Sequence, residues 1–259
     1  MIGIIGFGRF GKLTARYLAE EFDVAVYHRT HKSVEINHTG ARSATLETVC
    51  RQDIVIPCVP ISVLQDVLRT IAPLLRPDSL VVDVCSVKEY PIRLMTDILP
   101  QTVSILATHP MFGPDSASDS LEGRKICLCK VRIPETSYQN IKGYLASKGL
   151  SVIEATAREH DEQIASSLSL THFIGRALSE YGAKQLEIDT EGYKRLLHIL
   201  EVVERDTWQL FLDMHRYNPY AKDKRVAFME VMRDINDRLE QGKQPLADLA
   251  ESIDKEKLI

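Results

Sequence analysis

Two short runs in this 259-residue chain carry side chains able to move a proton. Asp83-Val-Cys-Ser86-Val-Lys88 overlaps the end of one apolar run, Leu80-Val-Val-Asp-Val, and Thr108-His109-Pro110-Met-Phe-Gly113-Pro114 follows another, Ser104-Ile-Leu-Ala107. Imidazole titrates near neutral pH, so a neutral His109 held by the Ser86 hydroxyl fits general-base removal of an alcohol proton during oxidation. On that reading activity falls as pH drops through the His109 titration, about 6 to 7 for an unperturbed imidazole. A serine-hydrolase reading of the same pair lacks the Gly-x-Ser-x-Gly elbow around Ser86. Taken alone, His109 also fits a turn or helix-capping histidine. Lys88 is either a neutraliser of a substrate or cofactor anion or a surface lysine.

The element that must position these groups is at the chain start. An apolar run, Ile2-Gly-Ile-Ile, ends in Gly6-Phe7-Gly8-Arg9-Phe10-Gly11 and is followed by a helical pattern from Lys12 to Glu21. Strand, Gly-x-Gly-x-x-Gly and helix form a dinucleotide turn: Gly6 for the tight bend, Gly8 for approach of a pyrophosphate, Gly11 for close helix packing. The helix N-terminus adds free N–H groups and the positive end of its dipole. The second strand, Asp23 to Tyr27, ends in His28-Arg29-Thr30-His31-Lys32, where NAD sites usually carry an acidic residue toward the ribose hydroxyls. With no carboxylate to repel a 2′-phosphate, and with Arg29, Thr30 and further basic residues to bind one, the segment favours NADP over NAD. A solvated basic loop is the other reading of it.

Short apolar strands at 53–59, 80–84 and 104–107, with a helix between Ser62 and Leu75, imply a parallel sheet covered on both faces, with ligands at the strands' carboxyl ends. Lys125 to Lys130 and Ser151 to Glu154 read as closing strands around a helix from Thr136 to Ser147. Strand patterns then stop. Thr156-Ala-Arg-Glu159 has capping-box spacing, and Ile164, Leu168, Thr171, Ile174, Leu178 and Tyr181 trace an apolar stripe along a long helix. Helices follow at Thr190 to Val203, Asp206 to Arg216, Ala221 to Gln241 and from Pro245. The fold class is therefore α/β: a Rossmann-type dinucleotide domain over 1–155, then an all-helical domain over 156–259 for substrate and dimerisation.

Bulk properties narrow the partners. A net charge of -4 and ordinary composition point to neither nucleic acid nor a charged membrane surface. No apolar run approaches the ~20 residues of a membrane span, and no secretory leader is visible, which reads as cytoplasmic. Five cysteines, an odd number in mostly apolar runs, read as buried thiols rather than disulfides or a metal site.

The glycine turn, Asp83-x-x-Ser86-x-Lys88 and His109-Pro-Met-Phe-Gly113-Pro-Asp-Ser116 together resemble the prephenate/arogenate dehydrogenase family, closest to its plant-like arogenate branch, over nearly the whole chain. The resemblance implies oxidative decarboxylation of a cyclohexadienyl acid, prephenate or arogenate, with hydride transfer to NADP. It makes His160, followed by Asp161, Ala165 and Ser166, and His172 substrate contacts, with a structural histidine as the other reading of His172. Gly192-Tyr-Lys-Arg195 and Glu204-Arg205-Asp206-Thr-Trp208 also resemble the arogenate branch. Where prephenate-using members place a carboxylate-binding Arg, this chain has Leu197-His198, so Arg195 or Arg205 is left to substitute. Asp206 suits the α-ammonium of arogenate, and equally a helix N-cap.

Other readings remain. A glyceraldehyde-3-phosphate dehydrogenase shares the opening glycines but needs a reactive cysteine that this chain does not place. A β-hydroxyacid reductase needs a lysine with Asn company that Lys184 lacks. A non-enzymatic NADP sensor has no need for Ser86 and His109 to converge.

Overall fold

Short apolar runs become strands because their β-branched residues pack on both faces of a buried sheet. The computed structural model describes residues 1–30 and 32–242; His31, expected to add charge at the ribose, and the helix expected from Pro245 lie outside the described residues. Strands β1 (Ile2–Ile5), β2 (Val24–Tyr27), β3 (Arg42–Ser43), β4 (Ile54–Pro57), β5 (Leu80–Asp83), β6 (Ser104–Pro110), β7 (Lys125–Arg132) and β8 (Ser151–Glu154) form one sheet. Its order is β3-β2-β1-β4-β5-β6-β7-β8. Strand order reverses between β1 and β4, which opens a crevice at their carboxyl ends.

One pairing departs from the parallel expectation. β7 runs antiparallel to β6, with His109 opposite Cys127. The connection at 111–124 contains no helix, and without a crossover the chain can only return antiparallel. The same pairing extends β6 through Thr108, His109 and Pro110. His109 therefore stands in the strand rather than in a loop after it, and its backbone is fixed by the sheet.

Helices α1 (Arg9–Ala19), α2 (Ser33–Asn37), α3 (Leu46–Cys50), α4 (Ile61–Ile71), α5 (Glu89–Ile98) and α6 (Glu135–Ser147) connect the strands. On α4, Leu64, Leu68 and Ile71 recur at helical spacing and share a cluster with Val55, Val81 and Ile105 of the sheet. Each such side chain contributes roughly 1.5–3 kcal/mol by leaving water. The five cysteines are free thiols, four of them buried.

After the sheet come α7 (Ala157–Ile164), α8 (Leu170–Tyr181), α9 (Glu191–Glu204), α10 (Trp208–Tyr217) and α11 (Ala221–Glu240). Thr156 and Glu159 close the expected capping box at the start of α7. The long regular helix expected from the apolar stripe is instead interrupted: Ala165–Ser169 is a π-turn between α7 and α8. Its wider winding rotates the buried face, so Ser169, His172 and Gly175 point inward and Tyr181 is 86% exposed. Residues 1–221 form one compact unit and 222–259 a second, of which the described part is α11 with a short C-terminal turn.

Candidate active site

At two of its three glycines the turn is built by contacts that leave no room for a side chain. Gly6 has φ +103°, and a Cβ there would lie 2.3 Å from the Cys58 carbonyl oxygen; a Cβ on Gly11 would lie 2.3 Å from that of Gly6. At Gly8, the residue before α1, the space is open, so main chain and helix N-terminus are accessible to a phosphate. This turn fits a dinucleotide. Phe7 and Phe10 contribute only main chain to it: Phe7 is 3% exposed in the core beneath the sheet, and Phe10 faces an apolar groove with Leu13, Tyr17 and Phe112. Arg9 reaches across the turn, donating to Asp115 Oδ2 at 2.5 Å and to the main-chain oxygen of Arg205 at 2.6 Å. The Arg205 guanidinium is itself 3.7 Å from Asp115.

His109 is buried at the end of β6, and its partner is not the expected one. Its Nδ1 lies 2.8 Å from His160 Nε2, and His160 Nδ1 lies 2.8 Å from Asp161 Oδ1. Asp161 also accepts from the N–H of Lys88 at 2.7 Å and of Glu89 at 2.9 Å, where α5 begins. Ser86 does not hold His109: its Oγ is buried and has no hydrogen-bond partner among the described residues. The antiparallel strand aims His109 at the start of α7, which brings His160 to the position expected for Ser86. His160 is thereby taken out of direct substrate contact, its two ring nitrogens being engaged. Burial, reinforced by the nearby His160 and Lys88, holds the His109 pKa well below the ordinary imidazole range, lower than the 6 to 7 expected of an unperturbed ring.

Lys88 is neither a surface residue nor an anion binder. It is fully buried, and its ammonium donates to Asp83 Oδ2 and to the main-chain oxygen of Thr108. Thr108 Oγ1 in turn donates to the main-chain oxygen of Asp83 at 2.7 Å. The Asp83–Lys88 pair thus ties the loop carrying Ser86 to the strand carrying His109.

A second cluster gathers beside α8. His172 is buried, with Nε2 3.7 Å from Asp206 Oδ2 and Nδ1 without a hydrogen-bond partner among the described residues. Burial first, then the charge of Arg176, pushes His172 down to about 4. Asp206 is not a helix cap: Thr207 accepts from Leu210 N at the start of α10, which leaves the Asp206 carboxylate free to face His172. Burial raises its pKa. Arg176, unremarked in the sequence, donates to the Asp206 main-chain oxygen at 2.6 Å and lies 5.1 Å over the Trp208 ring. Arg195 is exposed on α9 and forms no ion pair with this cluster among the described residues. Of the two arginines expected to hold a carboxylate, Arg205 is the one at the crevice, beside Arg9 and Asp115.

At the far end of β2, His28, Arg29, Thr30 and Lys32 line a cavity of about 390 Å³ together with Ser33, Ser43 and Thr45. His28 Nδ1 is 3.0 Å from Thr30 Oγ1, which shapes the turn. The cavity supplies two cations and several hydroxyls, the donors a phosphate needs. Ser43 comes from β3, a two-residue strand without a sequence pattern of its own.

The protein is similar to known ones along most of its length. A family model described as prephenate dehydrogenase, nucleotide-binding domain, matches residues 20–154, and one described as TYRAAT1-like, C-terminal domain, matches 177–249. Arogenate dehydrogenase 2, chloroplastic, of Arabidopsis thaliana is 34% identical over 254 residues, covering 93% of this chain and 71% of that protein. Arogenate dehydrogenase 1, chloroplastic, of the same plant is 31% identical over 248 residues, which is 92% of this chain but 39% of the relative's length. In fold, the chain matches the crystal structure of prephenate dehydrogenase from A. aeolicus in complex with hydroxyphenyl propionate and NAD+. The TM-score is 0.76 at 17% identity, covering 99% of this chain and 96% of that one.

Proposed function

The chain belongs to the prephenate/arogenate dehydrogenase family, and on that premise we propose that it catalyses oxidative decarboxylation of arogenate or prephenate in tyrosine biosynthesis, with NADP as hydride acceptor. The observation that carries the reading is His109: a buried imidazole at the end of β6 with Nδ1 held by His160 and no hydrogen bond at Nε2 among the described residues. The bound nicotinamide supplies the acceptor for the hydride on the ring carbon that bears the 4-hydroxyl. His109 Nε2 takes the hydroxyl proton as the carbonyl forms. When the ring carboxylate leaves as carbon dioxide, the electron pair of the broken C–C bond passes through the ring to the carbonyl oxygen. That oxygen recovers the proton from His109, and the ring is aromatic. Orientation and one base are all that the protein must provide for a reaction driven by aromatisation.

In this reading the buried, unpartnered Ser86 hydroxyl contacts the reacting end of the substrate. Asp206 beside His172 attracts the α-ammonium of arogenate, and Arg205 offers a cation to a carboxylate. The 2′-phosphate of NADP is received by the cavity of Arg29, Thr30 and Lys32. Residues 1–155 hold the dinucleotide, while 156–259 provide substrate contacts and a homodimer surface. Exposed Val231, Met232, Ile235 and Leu239 on α11 supply apolar area for that surface. No helix among the described residues is long and apolar enough to cross a membrane, and five free thiols fit a reducing compartment such as the cytoplasm.

The test is reduction of NADP and of NAD, followed at the nicotinamide absorbance, with arogenate and prephenate offered separately. Turnover with NADP and arogenate as the preferred pair is expected. Binding of NADP without turnover of either acid overturns the reading.

A further inference from the structure

We propose that His160 and Asp161 are positioning residues that lock His109 into the tautomer protonated at Nδ1, so that its Nε2 lone pair faces the substrate. The inference rests on the reading of His109 as the base.

The hydrogen bonds fix the protons in sequence. Asp161 is fully buried, and both of its oxygens already accept main-chain N–H groups where α5 begins. With each oxygen committed as an acceptor to a main-chain N–H, the carboxylate meets His160 as an acceptor too. The proton in the 2.8 Å contact between Asp161 and His160 must therefore sit on His160 Nδ1. A neutral His160 is then an acceptor at Nε2, and its 2.8 Å contact requires the proton on His109 Nδ1. What remains on His109 is an Nε2 lone pair. The opposite assignment, a proton on His109 Nε2, would leave the base with no lone pair toward the substrate.

The surroundings make this arrangement difficult to leave. His109, His160 and Asp161 are 6%, 3% and 0% exposed, so water cannot substitute for a missing partner. The two imidazoles meet edge to face at 71°, which sets the plane of the His109 ring. Asn218 donates to the main-chain oxygen of Asp161 at 2.9 Å and anchors the carboxylate's backbone from the end of α10. When His109 gains the substrate proton, its Nδ1 proton can pass to His160 Nε2. The cation then lies next to the Asp161 carboxylate, and it returns by the same route when the carbonyl oxygen recovers its proton.

The experiment is long-range ¹H–¹⁵N correlation of the full chain labelled at the histidine rings, with steady-state kinetics on the same samples. In the wild type the His109 ring is expected in the Nδ1–H form. His160→Ala should move it to Nε2–H and lower kcat about 100-fold or more with KM values for acid and dinucleotide changed less than about 3-fold. His160→Gln places a carbonyl oxygen near the lost Nε2, and should restore the Nδ1–H form and recover at least about 10-fold of kcat. A wild-type ring in the Nε2–H form overturns the proposal without need of any variant. So does a folded His160→Ala enzyme within about 3-fold of wild-type kcat, or a His160→Gln enzyme with the tautomer restored but no gain in rate. Failure of the wild type to oxidise either acid would remove the proposed function, while the ring spectrum would still report on the hydrogen-bonded series.

Discussion

At the His109 end of the crevice Asp83, Lys88, His109, His160 and Asp161 are between 0% and 6% exposed and bonded to one another or to main chain. At the ribose end Arg29, Thr30, Ser43 and Thr45 are exposed around an open cavity. Proton transfer demands one nitrogen with one orientation, and buried partners provide it by making every alternative leave a polar group unpaired. Phosphate recognition demands only charge and donors in reach, which exposed side chains supply with freedom to adjust. The two ends should therefore respond differently to substitution: loss of rate and stability at the first, loss of cofactor affinity at the second.

The sharpest separation comes from His109→Ala. Turnover should fall about 10³-fold, within the range for loss of a general base. KM for the dinucleotide should stay within about 2-fold, because the glycine turn is untouched. Steady-state kinetics with either acid checks this, and a variant retaining most of its kcat would remove the distinction between the two ends.

Lys88→Met tests the same end through stability. The substitution leaves the buried Asp83 carboxylate without its cation, and breaking a buried pair from one side typically costs about 3–5 kcal/mol. Denaturant unfolding should show a lower midpoint with an unchanged slope. Loss below about 1 kcal/mol would class the pair with exposed ones.

How much of each end was legible follows from where its constraints come from. The glycine turn reads directly because Gly6 and Gly11 answer to contacts within one strand, one helix and the neighbouring Cys58 carbonyl, while Gly8 leaves the approach open. His109 was legible as a candidate because Thr108-His-Pro sits at the end of an apolar run. Its partner was not, since His160 is 51 residues away on α7, beyond two further strands and a helix. Lys88 was ambiguous because a lysine has no sequence mark for burial; its pairing with Asp83 five residues earlier depends on the turn between them. The face of the long helix was misplaced for a geometrical reason: a 3.6-residue period cannot anticipate the π-turn at Ala165–Ser169. Asp206 as an N-cap lost to Thr207, which is one residue closer to the N–H that it satisfies.

At the ribose end, Arg29→Ala should raise KM for NADP about 10-fold while changing that for NAD less than about 2-fold, with kcat preserved. Added salt should narrow the difference, since the side chain is exposed and screened. Equal effects on both dinucleotides would mean that Arg29 does not meet the 2′-phosphate.

The smallest effect is in pH dependence, and its sign is set by burial. Native His109 is held well below the ordinary imidazole range, mainly by desolvation and further by His160 and Lys88, and His172 is pushed down to about 4. Both rings remain neutral in the native protein at pH values where the unfolded chain binds protons, near 6.5 for free imidazole. The unfolded state thus gains protons first on acidification, so stability present above about 6.5 should decline as the pH falls toward the native values. Activity should behave differently over the same window. A base that stays neutral keeps kcat/KM nearly level from pH 7 to below 6, with the acid limb displaced under the usual imidazole range. Thermal unfolding and initial rates measured across pH 4.5 to 7.5 on one preparation would therefore separate: Tm falling while the active fraction at low temperature is still fully competent. His172→Asn should flatten the Tm slope without moving the acid limb. An acid limb at or above 6.5 would mean that His109 takes a proton as readily as a solvent-exposed ring, and the contrast between the closed and the open end of the crevice would fail at its central residue.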